Sequence, residues 1–399
     1  MAKYDFNNSR YAKFFSDREN QRFLQSFVDR TDLFYTNYGW YKTQGRVAPP
    51  TPTDNRGVAA YTVKARKLEA APLADMRAPL GDALQEDKAG FEWYTGTIPD
   101  FTAKGTVETA AEREYKVRQF EEFGNDADIV MAWRDDVQSK MDQVDATMTW
   151  MTAQLMTKFS IDYTGIGQGI QAPILDIPAE KCDKRGSGSA AWCSMDAQGN
   201  LTVNASTKIL SEMKKIEEEY RTKRGAYPGA LVWQMTRNAF YDVFLQCDEV
   251  RELVKNYRHY HNLAFTEGMK VNEDDFAPAF AQYNGVSPIE LVVEKERNTT
   301  NSADTFVKGW ANNIAVLRPA GDAVEFERTE ILDRRMIENY GAKSIDSVFA
   351  VTNGGLGLLV NTTTDNGRFQ EWHTNLYFSA VPGLINFPNH EVIDITKKG

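Results

Sequence analysis

The sequence predicts an α+β fold, and three observations carry the prediction. An early extended region precedes one long segment with helical periodicity, a mixed middle of strands and helices follows it, and strand-rich runs crowd the C-terminal end. The long segment runs from Asn125 to Phe159. Its apolar residues Val130, Trp133, Val137, Met141, Val144, Met148, Met151, Leu155 and Phe159 recur at intervals of three and four, which places one stripe along a helix. Asn125 is a candidate cap, and Asp128 sits near the positive end of the dipole. Asp135, Asp136, Lys140, Asp142 and Asp145 fall off the stripe, on the expected wet side. Such a rod is far longer than the mean globular helix of about 11–12 residues.

Before the rod, residues 4–38 predict a short amphipathic helix with a sticky face, either folded on its own domain or docked as an arm. Residues 45–57 (GRVAPPTPTDNRG) predict an extended linker, and 58–70 a strand with Tyr61, Val63 and Leu68 opposed to Lys64, Arg66 and Lys67. Residues 71–105 show no clear periodicity and predict a long irregular segment, which is unusual inside a compact domain. Residues 106–123 predict strand or helix. After the rod, strands are expected at 159–163 and 172–177 around TGIGQGIQ, with another at 199–203. A helix over 206–224, capped by Asn204 or Ser206, buries Ile209, Leu210, Met213, Ile216 and Tyr220. A buried strand at 229–235 precedes one or two helices over 236–258. Strands follow at 289–296, 313–319, 323–332, 346–362 and 375–395.

With 399 residues and 42% hydrophobic content, the chain holds one large domain or two to three ordinary ones. Lys and Arg total 46 against 56 Asp and Glu, and the net charge of −10 argues against a dedicated nucleic-acid binder. The polar opening MAKYDFNNSR and the absence of a long apolar run predict a soluble protein without a signal peptide, made in a cytoplasm, and the start at Met1 leads to the expectation that no long leader is removed. Cys182, Cys193 and Cys247 do not make a disulfide framework; Cys182 and Cys193, on either side of a Gly/Ser-rich turn, are expected as free thiols near a hairpin. Eight Trp, 17 Tyr and 22 Phe, many outside any closed core pattern, point to large interfaces with other chains.

Reactive chemistry finds little support. Gly165, Gly167 and Gly169 lack the following helix that a phosphate loop needs, because Pro173 and a strand come next. His259 and His261 have no HExxH or CxxC companion, and the four histidines, with His373 and His390, form no ligand spacing. The acidic pairs Asp135/Asp136, Glu121/Glu122 and Asp274/Asp275 read as solvated charge, and NGGLG at 353–357 as a tight turn. No catalytic, cofactor-binding or metal-binding residue is expected, and the chain is read as no enzyme.

Three stretches carry a resemblance: AWRDDVQSKMDQVDATMTWMTAQLMTKFSI (132–161), TKRGAYPGALVWQMTRNAFYDV (222–243), and the closing NNIAVLRPAG, GGLGLLVNT and SAVPGLINFPN. In their order and apolar spacing they resemble the lambda-like branch of the tailed-phage major capsid proteins. The resemblance implies an α+β, Hong Kong 97-type fold. Residues 1–56 would be an N-terminal arm and linker and 57–115 an extended loop lying across a neighbour. Residues 116–161 would hold the spine helix and the start of the peripheral domain, 162–330 an axial domain with a peripheral-domain helix, and 331–399 the closing strands of both. It further implies hexamers and pentamers of the chain forming an icosahedral head around double-stranded DNA, without sequence-specific binding or a membrane. Assembly would take place in the host bacterial cytoplasm, with scaffolding, portal and decoration proteins as further partners. Some members of the family cross-link Lys to Asn; Lys64 and Lys67 lie in the corresponding loop, but no partner is assigned. An encapsulin-like compartment shell and an α+β enzyme are the alternatives. Phe14, Phe23, Phe27, Phe91 and Trp93 are the apolar side chains expected to need a neighbour's cover.

Overall fold

The computed structural model describes residues 41–47, 59–68, 90–99, 101–109, 126–163, 173–225, 227–266, 268–283, 285–292, 297–298, 306–307, 309–328, 345–351, 357–364 and 371–399. The architecture is mixed α and β, and the chain divides into two compact units.

One unit takes Thr95–Met151 and Val324–Gly383 together with the start of the chain to Tyr61. Its first sheet joins β1 (Tyr41–Val47), β15 (Val324–Arg328) and β19 (Ala380–Leu384), with β1 and β15 parallel. Its second sheet is antiparallel: β16 (Ile345–Val351), β17 (Gly357–Thr364), β18 (Glu371–Phe378) and β4 (Phe101–Thr109), in that order. The β16–β17 register brings Val348 opposite Val360 and Ala350 opposite Leu358, cross-strand pairs suited to β-branched and aliphatic residues. At the foot of β18, Phe378 stacks on Phe101 with ring centroids 4.9 Å apart.

The other unit, Thr62–Tyr94, Thr152–Ala323 and Leu384–Gly399, holds an extensive hydrophobic core. A mixed sheet runs β11 (Ile289–Val292), β10 (Leu231–Thr236), β14 (Ile314–Pro319), β20 (Glu391–Asp394) and β7 (Asp183–Gly186). Interior strand β10 is buried at every position, Gln234 and Thr236 included, which suits its mostly apolar sequence. Against this sheet pack α2 (Ile209–Lys223), a π-helical turn at Ala239–Phe244, α3 (Asp248–Tyr260) and α4 (Glu273–Tyr283). α2 buries Ile209, Leu210, Met213, Ile216 and Tyr220, the side chains its spacing selects. Glu217 is buried among them because its carboxylate accepts from Trp233 Nε1 at 2.7 Å and from the Ser287 N–H and hydroxyl, each at 2.8 Å. The hairpin of β8 (Cys193–Met195) and β9 (Leu201–Val203) and the pair β5 (Ser160–Ile161) and β6 (Leu175–Asp176) complete the unit, with β12 (Arg297–Asn298) and β13 (Phe306–Val307) pairing beyond β11.

The long helix, α1, spans Asp126–Lys158, 33 residues and about 50 Å. Val144, Met148, Met151, Leu155 and Phe159 are buried as the stripe predicts. The expected wet side is corrected in the second half: Asp145, Thr147, Thr149, Thr152 and Gln154 are buried too, whereas Asp142 is exposed. Threonine makes such burial affordable, since Thr149 and Thr157 donate to the carbonyls of Asp145 and Ala153 at 2.7 Å, the i−4 positions. Gln154 Oε1 accepts from the Asp162 N–H at 2.9 Å. The helix stops at Phe159, whose φ of 61° is left-handed, and Lys184 Nζ donates to the freed Lys158 carbonyl at 2.8 Å.

Further expectations are corrected. Residues 91–105 are not irregular but contain β3 (Phe91–Ile98) and the start of β4. Residues 45–47 end a strand rather than begin a linker. Lys208 stands at the cap of α2 with no side-chain bond, because the Asn204 amide instead donates to the Ala191 carbonyl at 2.8 Å. Cys182 and Cys193 do not face each other across a hairpin: Cys182 precedes β7, which runs along β20, and Cys193 begins β8. All three cysteines are free. Helix α4 escapes sequence reading because Pro278 lies inside it. The expected helix at 4–38, residues 48–57, 71–89 and 110–123, the Gly-rich loop from 164 to 172, and Glu121/Glu122, Phe14, Phe23 and Phe27 lie outside the described residues.

His390 gives the fold a pH dependence. Its Nε2 donates to the Met156 carbonyl at 2.8 Å and its ring meets Phe159 edge-on. Complete burial pushes its pKa down to about 3, reinforced by Arg318 and Arg224 and opposed by the Met156 bond. A histidine held neutral in the folded state, yet protonated in the unfolded chain near 6.5, makes stability fall as pH drops from 6.5 towards 3. The slope approaches ~1.4 kcal/mol per pH unit. Urea unfolding of wild type and His390→Gln between pH 7 and 5 checks this: the wild-type loss of stability over that range should be at least partly absent in the variant. Glu217→Ala strands the indole and serine donors and should cost about 2–4 kcal/mol in the same assay, with Glu217→Gln costing less.

Candidate assembly interface

The β-ribbon formed by β2 (Ala59–Arg66) and β3 follows from period-two alternation. In β2, Tyr61, Val63 and Ala65 turn inward while Thr62, Lys64 and Arg66 face water. In β3, Tyr94, Gly96 and Ile98 turn inward, and the opposite face carries Phe91, Trp93, Thr95 and Thr97. Gly96 is required where it stands, because a Cβ there would lie 2.6 Å from the Tyr61 ring. Burial, with Glu327 adding to it, raises the Tyr61 phenol pKa, so the ring is packed as a neutral group.

The root of the ribbon is pinned. Tyr94 Oη accepts from the Leu384 N–H at 2.7 Å, and its ring meets Phe387 edge-on at 5.0 Å. Asn389 clamps the other strand: its amide donates to the Arg66 carbonyl at 2.9 Å, and its Oδ1 accepts from the Leu68 N–H at 3.0 Å. A ribbon so held presents its outer face in one orientation.

That outer face is aromatic. Phe91 and Trp93 are 51% and 56% exposed, although most large apolar side chains of the described residues are buried. Cations flank them: Lys64 Nζ lies 4.5 Å from the Phe91 ring centre and Lys181 Nζ 5.2 Å from that of Trp93. Lys181 also donates to the Trp93 carbonyl at 2.7 Å and lies 3.7 Å from Glu92. Aromatic anchors ringed by charge match the composition of a protein–protein hot spot. Lys181 carries no sequence signal, because it comes close only through the fold.

A second polar feature lies along β7. A cleft of about 470 Å³ is bounded by Asp183, Arg185, Glu219, Tyr220, Lys223 and Glu391. Arg224, itself buried, holds Asp183 at 2.5 Å and Glu391 at 3.7 Å and stacks on Tyr220, while Arg185 bridges Glu219 at 2.8 Å and Glu391 at 3.5 Å. Burial raises the Glu391 pKa, and Arg224 and Arg185 oppose the rise. Each of these carboxylates already faces a cation, so the arrangement ties the end of α2 to the sheet edge.

The histidines and acidic pairs do not converge. His259 is exposed on the last turn of α3, His261 follows as its cap against Tyr257, His373 sits in β18 opposite Val107, and His390 is in the core. Asp275 pairs with Arg258, and Asp135 and Asp136 lie along α1. Among the described residues no group of three or more metal-ligating side chains comes together, and no helix is long and apolar enough to cross a membrane.

No protein-family model matches the chain, and no curated protein does. Among solved structures it is similar to a phage-related protein from Bordetella bronchiseptica RB50, at 13% identity over 94% of this chain and 97% of that one, with a TM-score of 0.47. It is also similar to the native GTA particle capsid, at 10% identity over 92% and 91% with a TM-score of 0.41. The mature capsid of bacteriophage PhiM1 aligns at 12% identity over 90% and 86%, with a TM-score of 0.39.

Replacing Phe91 and Trp93 together by Ser should leave the thermal midpoint of the unassembled chain within about 2 °C, because exposed side chains contribute little to the fold. The same change should weaken self-association by at least about tenfold, measured by sedimentation over a concentration series.

Proposed function

We propose that the chain is a structural shell protein: a major capsid protein that assembles with copies of itself into the icosahedral head of a tailed bacteriophage, with no catalytic role. The carrying observation is the pinned ribbon whose outward face is Phe91 and Trp93. An aromatic surface held rigid and left in water is complete only under another chain. Closed shells arise when one such surface meets a different surface of the next copy and symmetry repeats the contact. The 33-residue helix α1 supplies a stiff member around which such a subunit is built.

The finer assignments belong to the same proposal. Residues 1–56 act as arm and linker, 57–115 as the extended loop, 116–161 as spine helix and start of the peripheral domain, 162–330 as the axial domain with a peripheral helix, and 331–399 as closing strands. Hexamers and pentamers enclose double-stranded DNA, assembled in the bacterial cytoplasm and carried in the virion, with scaffolding, portal and decoration proteins as partners. A net charge of −10 suits a wall that must not adhere to packaged DNA.

Negative-stain microscopy of the expressed full chain is the test. Closed particles or capsomer rings are the expected result. A monomer under all assembly conditions, or turnover that a single substitution at His259 or His373 abolishes, would overturn the proposal. Particles filled with a cargo enzyme in a cellular context would instead identify a compartment shell.

A further inference from the structure

We infer that the cleft beside β9 is a seat for an extended polypeptide segment of another protein, taken up as an added strand with an acidic side chain over Lys270. The site lies within one compact unit and shares no residue with the ribbon. It stands whether or not the chain forms a shell. Backbone groups left open on both walls and two charges without partners carry the inference.

The β8–β9 hairpin fixes which backbone groups are open. The Asn204 N–H donates to the Trp192 carbonyl at 2.8 Å, and the Asp196 N–H to the Asn200 carbonyl at 3.1 Å. With Thr202 opposite Ser194, the alternation of an antiparallel ladder commits the Thr202 N–H and C=O to β8. Those of Leu201 and Val203 point the other way, and they have no hydrogen-bond partner among the described residues. Beside them lies a cleft of about 410 Å³, bounded by Leu201, Val203, Tyr241, Asp242, Lys270 and Val271. The far wall is open in the same sense. Lys270 and Val271 lie in the irregular stretch before α4, and their N–H groups have no partner among the described residues, although Val271 is only 4% exposed. Backbone donors so placed are nearly always paired. A chain that brings its own N–H and C=O groups at strand spacing supplies the missing partners.

The side chains state what else that chain carries. Leu201, Val203, Val271 and the Tyr241 ring offer apolar contact. Lys270 and Asp242 are exposed at the cleft, and neither has an ion-pair partner among the described residues. An occupant complementary to them presents an acidic side chain to Lys270 and a basic one to Asp242. The walls are set beforehand. Gln246 donates to the Tyr241 carbonyl at 3.0 Å, Asn272 accepts from the Asp275 N–H at 2.9 Å, and the Tyr241 hydroxyl donates to Glu273. A groove held in this way loses little freedom when it is filled.

The test uses the full chain and a fluorescein-labelled probe peptide, Glu-Val-Thr-Val-Thr-Lys, read by fluorescence anisotropy. Saturable binding is the expected result. Lys270→Glu, a change at an exposed residue, should weaken it by about tenfold, and a probe whose Glu is replaced by Lys should recover that loss on the variant. Val203→Pro removes one outward N–H that the hairpin does not use and should also weaken binding, with the thermal midpoint unchanged. If that variant fails to fold, the Lys270 cycle decides alone. A wild-type chain that takes up no probe, or a Lys270→Glu chain that binds both probes as wild type does, overturns the inference. Self-association blocked by Lys270→Glu, with no probe bound, would assign the groove to a second copy and overturn it too, while wild-type particles leave the shell reading standing.

Discussion

Successive side chains of a strand point to opposite faces, and in β3 this rule decides the character of the molecule. Tyr94, Gly96 and Ile98 take the inward positions, so Phe91 and Trp93 have no place but the outside. Moving them inward would require a one-residue slip, which would expose Tyr94 and break its bond to Leu384. The ribbon therefore holds its aromatics in water through the same contacts that fix its register.

The rest of the described core gives several of its buried polar groups full sets of partners. Glu217 is surrounded by three donors, and Asn389 uses both ends of its amide on backbone groups of the ribbon. Thr149 and Thr157 in α1 satisfy their hydroxyls on the helix itself. Tyr220 joins these systems: its hydroxyl donates to the Asn389 carbonyl at 2.7 Å, and its ring lies under Arg224. Such networks fix one arrangement of the sheet, helix and ribbon root, since a partly satisfied network costs more than an apolar one. A surface held on a fixed frame spends little binding energy on ordering itself.

The helices and buried strands were legible because their signal is local. α2 buries the residues its spacing names, and β10 opens on the apolar run Leu231, Val232 and Trp233. The failures have physical causes. β3 was hidden because its largest apolar residues lie on the exposed face, which erases the usual inward bias. α4 was hidden by Pro278. The dry far side of α1 was hidden because threonine and glutamine look polar in sequence, and only their bonds make them fit for burial. For the candidate interface, Phe91 and Trp93 were visible as aromatics without a core, whereas Lys181 was not singled out.

Sequence alone determined the mixed α and β character, the long helix, the acidic balance and the surplus of aromatics. Those depend on periodicity and composition, which a chain carries before it folds. Tertiary structure decided which aromatics stay wet, which carboxylates find cations and where the helix turns dry. Each of these depends on which distant segment arrives beside a residue, and Asn389 beside Arg66, 323 positions away, has no trace in local pattern.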